Sequence, residues 1–525
     1  MEYRRLRAPQ EHGATLELPP LSAVERTWRS NLDHIQTIEQ IRIGDVELGT
    51  LQQSGRREVV ELARRYTGNY LDVDLSGRTG ERIVMSGHQP ELFHPGVWFK
   101  NFALSKIGQQ LDCIAINLVV DNDICGSPAI RYPSIDRAAK SVSVGTIPLD
   151  APGANVPFEN RKIEDPDFFH SFPSRVASAM SPLVKGPLAS LVWEQLETAT
   201  NQNQRQPLLG QTIAQGRHRV ESKFGLTALE VPVSQIATSD SFAVFAKAIL
   251  ADLKGFQSAY NDAIAEYRKI HKIRSNAHPV PELISEDGWL ETPFWVWHDD
   301  RPQRRRLFAK LSPSGVSLTD RAGWRSDLEF KSFVEQFGGL AAEQVAIRPR
   351  ALVTTMFCRM VLSDVFIHGI GGAKYDQLTD AIANQFFGAA PPEFTTISAT
   401  MKIKNDFKLP DRADLIAMRQ LRREVEFHPE TLIPAVTPEA QAIIESKRNW
   451  ISGDPSSRDA KARHEAINQA NELLQPFTNP SFAEISEKIS ATAGELRKSA
   501  VLNSREYSFA LFDESLVQEL VALAG

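Results

Sequence analysis

Two stretches near the start of the chain carry helical spacing, Ser22 to Ile35 and Thr50 to Tyr66. In the second, Val59, Val60, Leu62 and Ala63 group together among Arg and Glu. A short apolar run, Ile83-Val84-Met85, then leads into the polar loop SGHQPELFHPG, residues 86–96. From Val97 the pattern is helical again, with Phe99, Ala103, Ile107 and Leu111 recurring at steps of four. Cys113 to Val120 is nearly continuous apolar sequence, as expected of a parallel strand covered on both faces. It stops at Asp121-Asn122-Asp123. Strand, polar loop, helix, buried strand and acidic tip make one βαβ unit.

Residues 130–225 read as an insertion in which only short elements appear, such as the alternating Ser141-Val142-Ser143-Val144. Leu229 to Ile236 reads as a strand and Phe242 to Arg268 as one long helix. Alternation around Phe294–Trp297 and Leu307–Ala309, joined at Asp299–Pro302, predicts two strands and a turn. A second α/β unit follows: a helix from Leu352 to Val361, a strand over Asp364–His368, a turn over Gly369–Ala373 and a helix from Lys374 to Phe387. From about 410 charged helical segments dominate, including Arg419–Glu426 and Arg458–Leu474, broken at Ser452-Gly453-Asp454-Pro455. They predict an antiparallel hairpin or short coiled coil. The boundaries are an N-terminal helical segment over 1–78, an α/β parallel-sheet core over 79–410 with insertions near 130–225 and 255–335, and a helical region over 411–525.

The 525 residues allow about three domains or one large domain with insertions. Composition is globular, and the net charge of −6 gives no overall footprint for nucleic acid. No apolar stretch approaches the roughly 18 residues of a membrane span. The basic N-terminal residues have no apolar region behind them. These features predict a cytoplasmic protein without membrane or nucleic-acid partners. Three cysteines cannot form a disulfide framework. Cys358 sits in an apolar helical stretch, where burial is expected.

Four places carry candidate chemistry. In the first, Gly87, His88, Gln89 and His94 precede a helix whose first turns hold Lys100 and Asn101. Free N–H groups at a helix start bind anions. His88 and His94 are protonatable and suited to meet charge on a phosphate, Lys100 to reach it, Gln89 and Asn101 to orient a substrate. The second is Asp121 and Asp123 at a strand end, where ligands of open α/β sheets bind and where a carboxylate meets a ribose, an amine or hydrated Mg²⁺. The third is His368-Gly369-Ile370-Gly371-Gly372 before a helix beginning near Lys374, a second helix start that could face the same cleft. The fourth is Arg348-Pro349-Arg350, a clamp for an anion or a solvated pair. Arg304-Arg305-Arg306 reads as a solvated face and Phe294, Trp295 and Trp297 as core. No zinc, Gly-x-Ser-x-Gly or Walker pattern is present.

Three stretches together resemble the bacillithiol-biosynthesis cysteine-adding enzymes: SGHQPELFHPGVWFKNFAL, the apolar strand ending at Asp121-Asn122-Asp123, and RPRALVTTMFCRMVLSDVFIHGIGGAKYDQL. The resemblance covers about 80–420 in outline. It implies a Rossmann-like core related to class I nucleotidyltransferases, and a C-terminal coiled coil used in dimers. It also implies a cleft lined by Gly87, His88, Gln89, Asp121, Asp123, Gly369, Gly371 and Gly372. The chain departs from the family in having His88 where Gln is expected, and in a Gly369–Gly372 turn without Gly-Pro-Gly-Glu character. The expected activity is a ligase joining an amino acid, with cysteine as the candidate, to a small sugar-acid or carboxylate acceptor. The expected cofactor is ATP, ADP or another nucleotide, with Mg²⁺ as an option, and the expected assembly is a homodimer. A class I-like nucleotidyltransferase and a non-enzymatic dimeric scaffold are the competing readings.

Overall fold

A computed structural model describes residues 6–75, 78, 82–126, 128–136, 138–139, 141–200, 207–407, 410, 412–452 and 460–525. Of the positions named above, 1–5, 79, 411, 453–455 and 458 lie outside these. The described chain forms two compact units. One comprises Met1–Tyr132, Gly145–Lys402 and Arg505–Gly525, the other Pro133–Val144 and Ile403–Ser504.

The first unit is α/β. Its central sheet holds β1 (Ala14–Leu18), β2 (Ile83–His88), β3 (Ile114–Val119) and β4 (Leu229–Pro232). A second, antiparallel sheet is then built from β5 (Trp289–His298), β6 (Arg301–Leu311), β7 (Gly315–Thr319), β8 (Arg325–Glu329) and β9 (Val345–Pro349), with the short strand Ser285–Glu286 at one side. The chain returns to the central sheet with β10 (Val365–His368) and β11 (Thr395–Thr400). The central order is β1-β11-β10-β2-β3-β4, parallel except for β1. The parallel part therefore starts mid-sheet at β2, steps outward through β3 and β4, and comes back to the other side of β2 with β10. The connections leaving β2 and β10 run to opposite sides, which opens a crevice at the carboxyl ends of two adjacent strands.

The apolar run before Asp121 is β3, buried at every position, as double coverage requires. Helix α1 (Val24–Ile38), α2 (Leu48–Gly68) and α3 (Pro95–Gln110) surround the parallel strands. Helix α3 is apolar on nearly all sides because it is covered on nearly all sides. Trp98 stacks on Phe509 of the returning C-terminal segment, with ring centroids 4.2 Å apart.

Several local readings need correction. Among its described residues the 130–225 stretch contains four helices, Pro166–His170, Phe172–Met180, Leu188–Thr200 and α4 (Leu209–Lys223). The polar residues Arg217, His218 and Glu221 of α4 are buried, which hides its inner face from a hydrophobicity pattern. The strand at Leu229 ends at Pro232, and Val233–Ile236 is a helical turn. The long helix after Phe242 is two helices, α5 (Asp240–Ala251) and α6 (Leu253–His271). Asp252 interrupts them and caps the second by accepting from the Gly255 N–H. Helix α7 (Ala351–Phe357) gives way to a widened π-type turn over Cys358–Leu362. The following helix, α8 (Ile370–Phe387), begins four residues before Lys374.

The second unit holds α9 (Arg412–Phe427), α10 (Pro438–Ser452), α11 (Ala460–Leu474) and α12 (Phe482–Leu502). Helix α10 packs on α11, and α9 on α12. Ala440, Ile444 and Leu474 form a small core. A capping box between Ser481 and Glu484 starts α12. The chain then rejoins the first unit, ending in α13 (Ser515–Ala524), which packs on α3. Among the described residues no helix is long and apolar enough to cross a membrane.

Candidate functional site

The loops after β2 and β10 open into one cavity of about 710 Å³. Of the residues expected from sequence, Gly87, His88, Gln89, His94, Lys100, Asp123, His368, Gly369, Gly371 and Gly372 line it. Asp121, Asn101 and Lys374 do not. Asp121 turns into the protein and accepts from the backbone N–H (3.0 Å) and hydroxyl of Ser234. Burial raises its pKa against those bonds. Asn101 donates to Glu221 Oε1 at 2.7 Å, beside Trp98 Nε1, so it serves packing. Lys374 is exposed.

The two helix starts differ in a way the sequence does not reveal. At α3, His94 is the N-cap and its Nδ1 accepts from the Gly96 N–H at 3.1 Å. Pro95 has no N–H, and the N–H groups of Val97 and Trp98 both reach the His94 carbonyl. The donors expected for an anion at this helix are thus already used. At α8 no side chain caps Gly369, and the first helical N–H bonded backward is that of Ala373. The N–H groups of Ile370, Gly371 and Gly372 belong to the first turn, which a helix leaves unpaired. The positive end of the dipole is therefore available at α8 rather than α3.

Lys100 reaches into this region from α3. Its Nζ donates to the Gly87 carbonyl at 2.7 Å, and its stem would lie 3.7 Å from a β-carbon on Gly369. It is 2% exposed and has no carboxylate partner among the described residues. Burial, helped by Arg217, pulls its pKa down to about 7. Gly87 itself is glycine for packing: a β-carbon there would sit 2.9 Å from that of Leu118.

The histidines do not carry the charge expected of them. Burial, with Lys100 nearby, pulls His88 down to about 3, and its Nδ1 contacts the Gln89 carbonyl. Burial pulls His94 to about 4 even though Glu506 opposes the shift. Both rings are neutral near pH 7, so positive potential comes from Lys100 and the start of α8.

His368 is held by a network the sequence reading did not single out. Its Nε2 lies 2.8 Å from Asp376 Oδ2. Asp376 also takes a bond from Arg359 Nη1 at 2.7 Å and one from the Thr355 hydroxyl. The π-type turn aims Arg359 inward, where it also meets Asp380. Burial would raise the Asp376 pKa, but Arg359 and His368 hold it well below the carboxylate range. An ionised Asp376 fixes Nε2 as the donor, leaving His368 Nδ1 with a lone pair and no partner among the described residues. Gly372 makes room for this ring, because a β-carbon there would fall 2.7 Å from Nδ1.

Further lining comes from the antiparallel sheet and from the residue that starts α7. Trp295, Arg304 and Arg350 line the cavity, although the sequence pattern read the first as core and Arg304 as solvated. Arg304 Nη1 donates to Asp123 Oδ1 at 2.8 Å, and Gln89 Nε2 to Asp123 Oδ2 at 3.0 Å. Burial works to raise the Asp123 pKa, but these two donors outweigh it and hold the carboxyl low. Arg348 turns away and forks onto Glu159. Burial raises the thiol pKa of Cys113 to about 12 and of Cys125 to about 11, and Cys358 higher still; none lines the cavity. Among the described residues no group of three His, Cys, Asp or Glu side chains is placed to hold a metal ion.

No protein-family model matches the chain, and no curated protein sequence matches it.

Proposed function

We propose that the chain is a ligase-like enzyme with a Rossmann-like core. It binds a nucleotide or phosphorylated carboxylate in the shared cavity and joins the acid to an amine. The observation that supports this most is Lys100. A buried ammonium with no counter-ion among the described residues, beside an uncapped helix start in a cavity, suits an anionic ligand. The Lys100 ammonium and the N–H groups of Ile370, Gly371 and Gly372 hold a phosphate group. A nucleotide bound there supplies the leaving group for carboxylate activation. His368 Nδ1, oriented by Asp376, accepts the proton of the attacking amine. His88 and His94 act as neutral hydrogen-bonding walls, and Asp123 keeps Arg304 and Gln89 in place.

In the manner of the family that its loops resemble, the amino acid joined is cysteine and the acceptor a small sugar acid or carboxylate. Exposed Ile416, Phe427, Val436, Trp450, Ile451 and Leu473 support pairing of the helical unit with a second copy as a coiled coil. The test is mass spectrometry of reactions containing ATP, Mg²⁺, cysteine and a panel of sugar acids. An ATP-dependent amide supports the ligase. A nucleotide conjugate with pyrophosphate and no amide replaces it with a nucleotidyltransferase.

A further inference from the structure

The cavity has a second polar group of side chains, none of which bonds to Lys100. The Trp295 indole carries two guanidinium groups against its ring, Arg304 with Cζ 4.5 Å from the centroid and Arg350 with Cζ 4.1 Å from it. Both lie within cation–π distance of the ring, which helps to hold them there. Each arginine is also tied by one edge only. Arg304 uses Nη1, on Asp123 and the Asn122 carbonyl. Arg350 uses Nη2, on Glu291 Oε1 at 2.6 Å. Arg304 Nε and Nη2 and Arg350 Nη1 have no acceptor among the described residues, and Arg350 Nε is buried without a partner.

The donors left unused at this end favour an acceptor ligand. Glu291, itself 1% exposed, is shared between Arg350 and the half-exposed Arg306. Asp123 serves Arg304. Arg306 does not line the cavity, so at its wall two arginines meet two carboxylates, and what is left over is their unused N–H donors. Planar forks with spare donors match a carboxylate, which is planar and takes paired N–H bonds. The Lys100 end offers a point charge and backbone N–H groups, which suit a tetrahedral phosphate better.

We propose that Trp295, Arg304 and Arg350 form a binding site for a substrate carboxylate, distinct from the phosphate-binding floor at Lys100. It rests on the reading of this cavity as the substrate site and adds the acid-recognising end to it. Gln89 joins the two ends, since it bridges the loop after β2 to Asp123, the partner of Arg304.

The experiment is calorimetric titration of the full chain with succinate and, separately, inorganic phosphate. It compares the parent protein with Arg304→Gln, Trp295→Leu and Lys100→Met, each checked for an unchanged far-UV spectrum and cooperative melting. The expected result is succinate binding weakened at least tenfold by Arg304→Gln and by Trp295→Leu, with phosphate affinity within twofold of the parent. Lys100→Met should do the reverse. Absence of succinate binding to the parent protein, or succinate binding indifferent to both wall variants, overturns the carboxylate site. Loss of phosphate binding alone would instead count against the Lys100 floor and leave the wall standing.

Discussion

The Lys100 ammonium donates to the Gly87 carbonyl oxygen at 2.7 Å and meets no carboxylate among the described residues. That pairing joins α3 to the end of β2 at the point where the central sheet reverses its winding. A charge placed this way is a burden on the empty protein and an asset to a complex with an anion.

Lys100→Met should therefore stabilise the protein while abolishing anion binding. The lysine holds its proton to pH 10.5 when unfolded but releases it at about 7 when folded. The unfolded state binds more protons in that window, so stability rises with pH between about 7 and 10.5, and the full penalty applies below 7. The shift corresponds to a destabilisation on the order of 5 kcal/mol, from which the lost Gly87 bond subtracts about 1 kcal/mol. At pH 6.5 the variant should melt at least about 2 °C higher than the parent. A lower melting temperature there contradicts the account.

Anion affinity should depend on pH with the same origin. Sulfate keeps its charge over the range of interest, so any change belongs to the protein. Its affinity should be flat below pH 7 and weaken by about tenfold per unit above it, as the empty site loses the Lys100 proton. Calorimetry at pH 6, 7, 8 and 9 reads this directly, together with proton uptake near neutrality. A flat profile to pH 9 would remove Lys100 from the site.

Asp376→Asn should be strongly destabilising. It leaves Arg359 with a weaker partner in a buried setting and breaks the bond that fixes His368. Loss of one member of a buried ion pair costs about 3–5 kcal/mol. Because the folded carboxyl is held low, its contribution is present above the ordinary carboxylate pKa and lost as pH falls through the folded value. Urea melts at pH 7 and pH 3 should show a difference between parent and variant that is only modestly smaller at pH 3, because most of the loss lies at still lower pH.

Gly372→Ala and Gly369→Ala should separate. The first places a β-carbon 2.7 Å from His368 Nδ1, the second no nearer than 3.7 Å to any atom. The expected losses are about 1–3 kcal/mol for Gly372→Ala and under about 1 kcal/mol for Gly369→Ala. Equal stabilities in urea would mean that the ring has space elsewhere.

The native thiols should be inert. All three cysteines are buried with raised pKa values, so a water-soluble disulfide reagent at pH 8 should label none until denaturant is added.

What could be read from the sequence was local and strongly patterned. The run ending at Asp121 identifies a doubly covered strand because coverage on both faces removes alternation. The polar, glycine-containing loops at 87 and 369 mark where such strands hand over to helices. What stayed hidden depends on contacts across the chain. Arg217, His218 and Glu221 make α4 read as loop, yet they are satisfied by partners such as the buried Glu230 and the half-buried Tyr70. The Trp295–Arg304–Arg350 wall needs residues from two strands and from the start of α7, and Asp123 to hold it. Nothing in linear spacing distinguishes Arg304 from its solvated neighbours. The self-capping of α3 by His94 likewise turns an apparent anion site into a closed turn, and only the geometry shows that α8 retains its free donors.

The most direct measurement is an experimental structure of the full chain crystallised with sulfate. A tetrahedral anion within about 3 Å of Lys100 Nζ and the first-turn N–H groups of α8 is the expected result. A carboxylate folded onto Lys100, or anions bound only elsewhere while that space stays filled by protein, would contradict the central claim.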